Sequence, residues 1–325
     1  MSVLAKSTID NAQDGEFLSG VVLVKSYGKK MTKGSVPKPY IDGVLVSGTD
    51  LPFKIWQDGS GLLDKMLADD LQGKACQVSG KVQLWQGNKS IILTDCTPVS
   101  GYDIASFLPV KYNSKSYIDA SKNFLMANLS PEGYDIISEI LFNDDELWNR
   151  FTTEFCARSH HDNCRSGLLV HSYKVLLTMN FVLSVYPTLL KCNPRKMDVQ
   201  KYQSDLYFIG AFIHDIGKTV EMKMGVYQPN TAVTHRYFGT EIVAKHKDKI
   251  IATYDEKWYY DLISIITQHH HEFGERAKTV FAYVTHLVDY QDTMLTGLCE
   301  AIEGNTNEDA SGVYVFQDKD TILHL

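Results

Sequence analysis

Paired cysteines, positive charge and long apolar runs are all scarce in this 325-residue chain. Its six cysteines (Cys76, Cys96, Cys156, Cys164, Cys192 and Cys299) are scattered with no CxxC pair, which indicates neither a zinc knuckle nor a disulfide framework and reads as reduced thiols. Lysine and arginine number 32 against 39 acids, a net charge of -7. That is the wrong sign for a protein that wraps a long stretch of phosphate backbone. No stretch approaches the uninterrupted apolar length of a membrane span, and the first residues hold no apolar core behind a basic start. The expectation is a cytoplasmic protein with no membrane partner.

Arginine is missing altogether from residues 1–110, where 11 lysines balance 11 acids. The excess negative charge therefore belongs to the rest of the chain, and any nucleic-acid surface must be local. With 44% hydrophobic and 22% charged residues the composition is that of a folded globular protein, and the length exceeds what one core usually spans, so two domains are expected.

Periodicity divides the chain. From Gly15 to about Thr97, short β-rich runs (FLSGVVLVKSYG, PYIDGVLVSG, LPFKIW, GKACQVSGKVQLWQGN and KSIILTDC) are punctuated by glycine, asparagine and aspartate. Five such strands predict a small all-β barrel of OB-fold type, with a barrel that binds nothing as the plainer alternative. One helix interrupts it, because GLLDKMLADDL spaces its apolar residues helically. After Gly101 the periodicity turns helical until near residue 303, as in SGLLVHSYKVLLTMNFVL and DLYFIGAFIHDIGK. The expected organisation is multidomain: an OB-fold barrel over residues 1–105 and an all-α domain over 106–325, joined near Pro109. The closing GVYVFQDKDTILHL reads as an extended tail or hairpin.

Ten of the eleven histidines lie beyond residue 159 within the helical stretch. A lone histidine on an apolar helix is more often a hydrogen-bonded core residue than a ligand, but clustering changes that. His214 and Asp215 close the apolar run LYFIGAFI, where an imidazole beside a carboxylate is costly to bury unless something pairs with both. A divalent cation is one such partner. An ion pair at the helix end is the other reading. His171, His235, the run His269, His270 and His271, and Asp289 supply further nitrogens and oxygens from separate helices, which suits a closed cluster of one or two metals.

The order His171, His214-Asp215, His235, a histidine pair and Asp289 resembles the HD-domain metal-dependent phosphohydrolases. More narrowly, an OB-like barrel followed by FCARSHHDNCRSGLLVHSYKV, FIHDIGK, HHH and HLVDYQDTM is similar to the YhaM-type 3′-5′ exoribonucleases. The resemblance implies an HD domain in which His171, His214, Asp215 and Asp289 hold one divalent ion. Asp215 would bridge to a second, completed by His235 and the histidine pair. Manganese is the first candidate, with iron, cobalt or magnesium as alternatives, and a bridging hydroxide is the implied nucleophile. Lys218 would face the scissile phosphate, or else be a solvated lysine. This chain has three adjacent histidines where two are expected, and apolar spacing back to Ile265 and Ile266 favours His269 and His270. It also carries a one-residue insertion between His160-His161 and Gly167, which puts a substrate contact by His161 in doubt. Asp292, on the same helix face as Asp289, either supports the site from outside or replaces Asp289 as ligand.

In the barrel, Lys25, Lys29, Lys30, Lys33 and Lys38 fall in a stretch with no acid, interleaved with Tyr27, Gly28, Gly34 and Tyr40. Such a stretch offers charge and stacking surface to single-stranded nucleic acid, or is simply a solvated hairpin. Trp56 and Trp85 are stacking platforms or, more commonly, barrel core. The leading reading is an exonuclease acting on single-stranded RNA, and on DNA as well if it is less selective. A phosphohydrolase of small nucleotides or cyclic dinucleotides is the alternative, and a non-catalytic binding protein with a vestigial metal core is the third. A homo-oligomer is left open.

Overall fold

A computed structural model describes residues 2–33, 35–57, 61–85, 88–157, 162–191, 199–228, 232–304, 313–315 and 322–324. The chain falls into two compact units, Met1–Lys111 and Tyr112–Leu325.

The first unit opens on a short helix α1 (Lys6–Asn11) and continues through β1 (Phe17–Met31), β2 (Pro39–Val46), β3 (Asp50–Trp56), helix α2 (Leu62–Ala68), β4 (Ala75–Trp85) and β5 (Asn88–Pro98). The strands close into a barrel in the order β1-β2-β3-β5-β4, with β3 and β5 parallel and the other neighbours antiparallel. This is the OB-fold arrangement. A register shift between Val24 and Ser26 bends β1, so that its first half pairs with β4 and its second with β2. Val22, Val24, Ile41, Leu45, Phe53, Ile55, Val78 and Ile91 fill the interior, each fully buried apolar side chain contributing about 1.5–3 kcal/mol of transfer energy. Helix α2 turns Leu62, Leu63 and Met66 into the same core. Cys76 and Cys96 are buried free thiols on paired strands. The unit runs past residue 105 because a 3-10 turn over Ile104–Phe107 returns to the barrel: Phe107 is buried and its carbonyl accepts from the Gly48 amide at 2.7 Å.

The second unit is helical: α3 (Ser114–Asn128), α4 (Pro131–Ile137), α5 (Asp145–Thr153), α6 (Gly167–Val185), α7 (Val199–Ile213), α8 (Lys218–Glu221), α9 (His235–Ala244), α10 (Lys247–Thr253), α11 (Glu256–Gln268) and α12 (Val280–Gly304). Side chains of Asn113, Ser130, Asp144 and Asp255 cap α3, α4, α5 and α11, which is why these helices begin where they do. A small hairpin, β6 (Met222–Lys223) with β7 (Val226–Tyr227), follows α8, and β8 (Val313–Val315) pairs antiparallel with β9 (Ile322–His324) near the end.

Helix α6 alone among the described residues is long and apolar enough, by length and composition, to cross a membrane. It is the central core helix of this unit. Leu168, Leu169, Val175, Leu176 and Met179 pack with Leu206, Ile209 and Phe212 of α7, Leu262 and Ile265 of α11, and Val284 and Val288 of α12. The polar residues His171 and Ser172 are buried in its second turn. His171, the end of α7, the start of α9, the end of α11 and the middle of α12 are thereby brought together.

Candidate metal centre

His214 to Gly217 form the turn between α7 and α8. Gly217 permits a close approach: a Cβ there would lie 1.8 Å from the His235 carbonyl oxygen and 2.5 Å from the Gly239 nitrogen, so only glycine lets the start of α9 reach this turn. Seven of the side chains selected from the sequence then assemble into two groups that meet at Asp215. In the first, His171 Nε2 lies 3.2 Å from His214 Nε2, 3.2 Å from Asp289 Oδ1 and 3.7 Å from Asp215 Oδ2. His214 Nε2 lies 3.4 Å from Asp215 Oδ2 and 3.7 Å from Asp289 Oδ1. In the second, His235 Nε2 and His269 Nε2 lie 3.3 and 3.5 Å from Asp215 Oδ1. His270 also belongs to this second group, its ring 5.0 Å from that of His235 and 4.4 Å from that of His269.

The opposite nitrogens are pinned. His214 Nδ1 donates to the Ala211 carbonyl at 2.9 Å, and His269 Nδ1 to those of Ile265 and Ile266 at 3.2 and 3.0 Å. A carbonyl can only accept, so both protons sit on Nδ1 and both Nε2 lone pairs point inward. His171 Nδ1 is held by Asp292 Oδ2 at 2.7 Å and His235 Nδ1 by Glu221 Oε2 at 2.9 Å. Asp292 also binds Lys174 and Thr296, so it supports His171 from outside the cluster. Glu221 has no motif in the sequence. It could have been suspected only from the hairpin that follows it, which turns the chain back toward His235.

Asp215 Oδ1, His235 Nε2 and His269 Nε2 are buried and have no hydrogen-bond partner. Each orphaned polar atom costs about 1–3 kcal/mol, so three on one spot require a shared partner. Donor separations of 3.2–3.7 Å within the first group compare with roughly 3.0 Å for octahedral and 3.4 Å for tetrahedral neighbours around an ion with bonds of about 2.1 Å. Imidazole nitrogen with carboxylate oxygen suits a borderline divalent metal. The residues present therefore fit such an ion in both groups.

Electrostatics agree. Burial would raise the Asp215 pKa, but Lys218 and His214 hold the carboxylate well below its usual range, and Asp289 is held low against burial by His171 and His214. Burial and then His269 and His235 push His270 down to about 3, and His269 is lowered chiefly by burial. His171 goes the other way: burial opposes its charge, but Cys156, Asp289 and Asp292 raise it well above the ordinary value. Lys218 is no solvated lysine. Its Nζ is 2.6 Å from Asp215 Oδ2 and 3.6 Å from Cys156 Sγ, and its side chain is 15% exposed. His271 stands apart from both groups, ringed by Tyr283 and His286. His160 and His161 lie outside the described residues.

The barrel residues divide. Lys29, Lys33 and Lys38 are exposed, and Lys30, also exposed, pairs with Asp42 of β2. Lys25 corrects the expectation of an open phosphate contact, since it is 3% exposed and ion-paired with Asp50 at 3.0 Å. Its acid partner comes from β3, far along the chain, which an acid-free stretch of β1 could not reveal. Trp56 is 39% exposed, with its ring 5.0 Å from Tyr40 and Lys54 Nζ 5.7 Å from its centroid. It is a surface ring on the strand 2–3 face that OB-folds use for oligonucleotides. The Trp85 side chain lies outside the described residues.

Residues 183–294 match the family described as HD domain. The helical unit carries an HD domain. His171 lies upstream of the matched residues, yet packs against those within it. The 3′-5′ exoribonuclease YhaM of Shouchella clausii (strain KSM-K16) is 24% identical over 307 residues, covering 89% of this chain and 87% of that protein. The 3′-5′ exoribonuclease YhaM of Listeria welshimeri serovar 6b is 22% identical over 280 residues, covering 79% and 83%. A barrel followed by a helical HD domain, over most of its length, is thus similar to the YhaM-type proteins.

Proposed function

We propose that this protein is a metal-dependent 3′-5′ exoribonuclease, with the HD domain as its catalytic unit and the barrel as its holder of single-stranded RNA. The observation that carries this reading is the convergence of three buried atoms that make no hydrogen bond, Asp215 Oδ1, His235 Nε2 and His269 Nε2, beside a second set of donors from His171, His214 and Asp289. His171, His214, Asp215 and Asp289 would hold one divalent ion, manganese first, and Asp215 with His235, His269 and His270 would hold a second. Ions bound there would supply Lewis acidity toward the scissile phosphodiester and lower the pKa of water to the neutral range.

The chain's own residues do the rest. Glu221, Asp292 and the carbonyls of Ala211, Ile265 and Ile266 fix the imidazole tautomers, so no reorganisation is needed when charge develops. Lys218, held cationic beside Asp215, places a fixed positive charge where a phosphate oxygen would approach. Exposed Lys29, Lys33 and Lys38 with Trp56 and Tyr40 offer charge and stacking to single strands. The reduced thiols Cys76 and Cys96 suit the cytoplasm.

The test is purified protein with manganese and 5′-labelled single-stranded RNA or DNA, beside mononucleotides and cyclic dinucleotides. A ladder of RNA products shortened from the 3′ end is expected. Turnover of the small nucleotides alone would replace this reading with a small-nucleotide phosphohydrolase.

A further inference from the structure

Next to the metal groups, the turn after α11 and the exposed side of α12 carry a row of rings. His271 takes a left-handed backbone, φ +45°, rarely adopted by bulky residues, and its Nδ1 accepts from the Ala277 amide at 3.0 Å. The turn is closed by the Phe273 amide donating to the carbonyl of His270, a member of the second metal group, at 3.0 Å. This sets Phe273 on Tyr290, with ring centroids 6.0 Å apart and planes at 22°. Tyr290 in turn stacks on His286 at 6.0 Å and 25°, and His286 Nδ1 donates to the His269 carbonyl at 2.8 Å. The three near-parallel rings are therefore tied at both ends to the backbone of the histidine pair, and Tyr290 directly follows Asp289.

Phe273 is 67% exposed although one face rests on Tyr290, and Tyr290 is 43% exposed. Arg236, adjacent to His235, lies so close to this turn that a Cβ on Gly274 would meet its Nη1 at 2.6 Å. An apolar ring offered to solvent beside the candidate metal ligands His269 and His270 and a guanidinium matches a nucleotide, flat and aromatic at one end and anionic at the other. We infer that Phe273, backed by Tyr290 and His286, is the platform on which the nucleobase next to the scissile phosphodiester stacks. This rests on the exoribonuclease reading. Stacking tolerates every base, as an enzyme that works through arbitrary sequence requires.

The test gives full-length, manganese-loaded protein two single-stranded RNAs that differ only in whether the 3′-terminal nucleotide carries its base. The parent should lose about tenfold in kcat/KM on the abasic RNA, mainly through KM, the size of one base stack. Phe273→Leu keeps apolar bulk without a ring and should shrink that discrimination below about twofold. Phe273→Trp should restore it, and Tyr290→Leu should weaken it. Equal discrimination in parent and Phe273→Leu would overturn the inference, as would a Phe273→Leu variant that loses activity on both RNAs alike while melting at the parent's temperature. A parent that degrades neither RNA but turns over small nucleotides would instead sink the exoribonuclease reading, and the platform with it.

Discussion

In the barrel unit, Lys30 and Lys25 of β1 meet acids from other strands, Asp42 of β2 and Asp50 of β3, while Lys29, Lys33 and Lys38 lie open to solvent. In the helical unit the imidazoles of His171, His214, His235 and His269 are buried with their Nδ1 atoms held by protein, and Asp215 Oδ1, His235 Nε2 and His269 Nε2 have no hydrogen-bond partner. The contrast separates two ways of preparing for a charged ligand. Exposed lysines are hydrated, adaptable and screened by salt, whereas a buried, pinned set of donors is rigid and selective for what can replace its missing partner.

Asp215→Ala should break the helical side of this contrast most severely. It removes the atoms shared by both groups and should lower the hydrolysis rate by about a thousandfold or more, the scale of losing several kcal/mol of Lewis-acid stabilisation, while binding of single-stranded RNA persists. Rate assays beside a binding titration check both halves. Next, the double variant His269→Ala, His270→Ala should lose one metal ion and keep the other, read by elemental analysis. Unchanged stoichiometry would place the pair outside the site.

Glu221→Gln and Asp292→Asn touch no inward-facing atom, yet each should weaken metal affinity about 10- to 100-fold by loosening an imidazole. The two groups should also respond differently to pH. His171 is raised in the metal-free protein and must shed a proton to bind an ion, so affinity at the group of His171, His214 and Asp289 should fall up to about tenfold for each unit of acidification below neutrality. His269 and His270 are lowered and already neutral there, so their group should hold its ion to lower pH. Metal titrations at pH 7 and 5.5 would separate them.

The smallest effect belongs to the barrel. Replacing Lys29, Lys33 and Lys38 with alanine should flatten the log-log salt dependence of RNA binding by roughly 0.7 per lost contact and leave cleavage of very short RNA near the parent rate. An unchanged salt slope would mean that this strand and loop are not the nucleic-acid face.

These differences also mark what a sequence can carry. The barrel's strands were legible because glycine and asparagine punctuate its apolar runs, and the inserted helix because Leu62, Leu63 and Met66 recur at helical spacing. The histidines and aspartates stood out because charged or polar residues interrupt otherwise apolar helices. Glu221, the burial of Lys25 and the exposure of Trp56 were not legible, because each depends on which strand or turn arrives beside it in space. Asp292 was visible as a neighbour of Asp289, but only the direction of its side chain, toward His171 Nδ1, decided its place. The third histidine was ambiguous for the same reason: periodicity cannot foresee that the backbone reverses hand at His271.

Gly217 gives the site a dimension. Because no methyl stands between that turn and the carbonyl of His235, the imidazole at the start of α9 and the Asp215 carboxylate on the turn face each other across a gap of 3.3 Å. An alanine would have to wedge the two apart by about 1 Å or more before ordinary contact distances returned. Such a wedge would widen the spacing of the donors proposed to hold an ion, so a single hydrogen atom in place of a methyl is the gauge that keeps them this close.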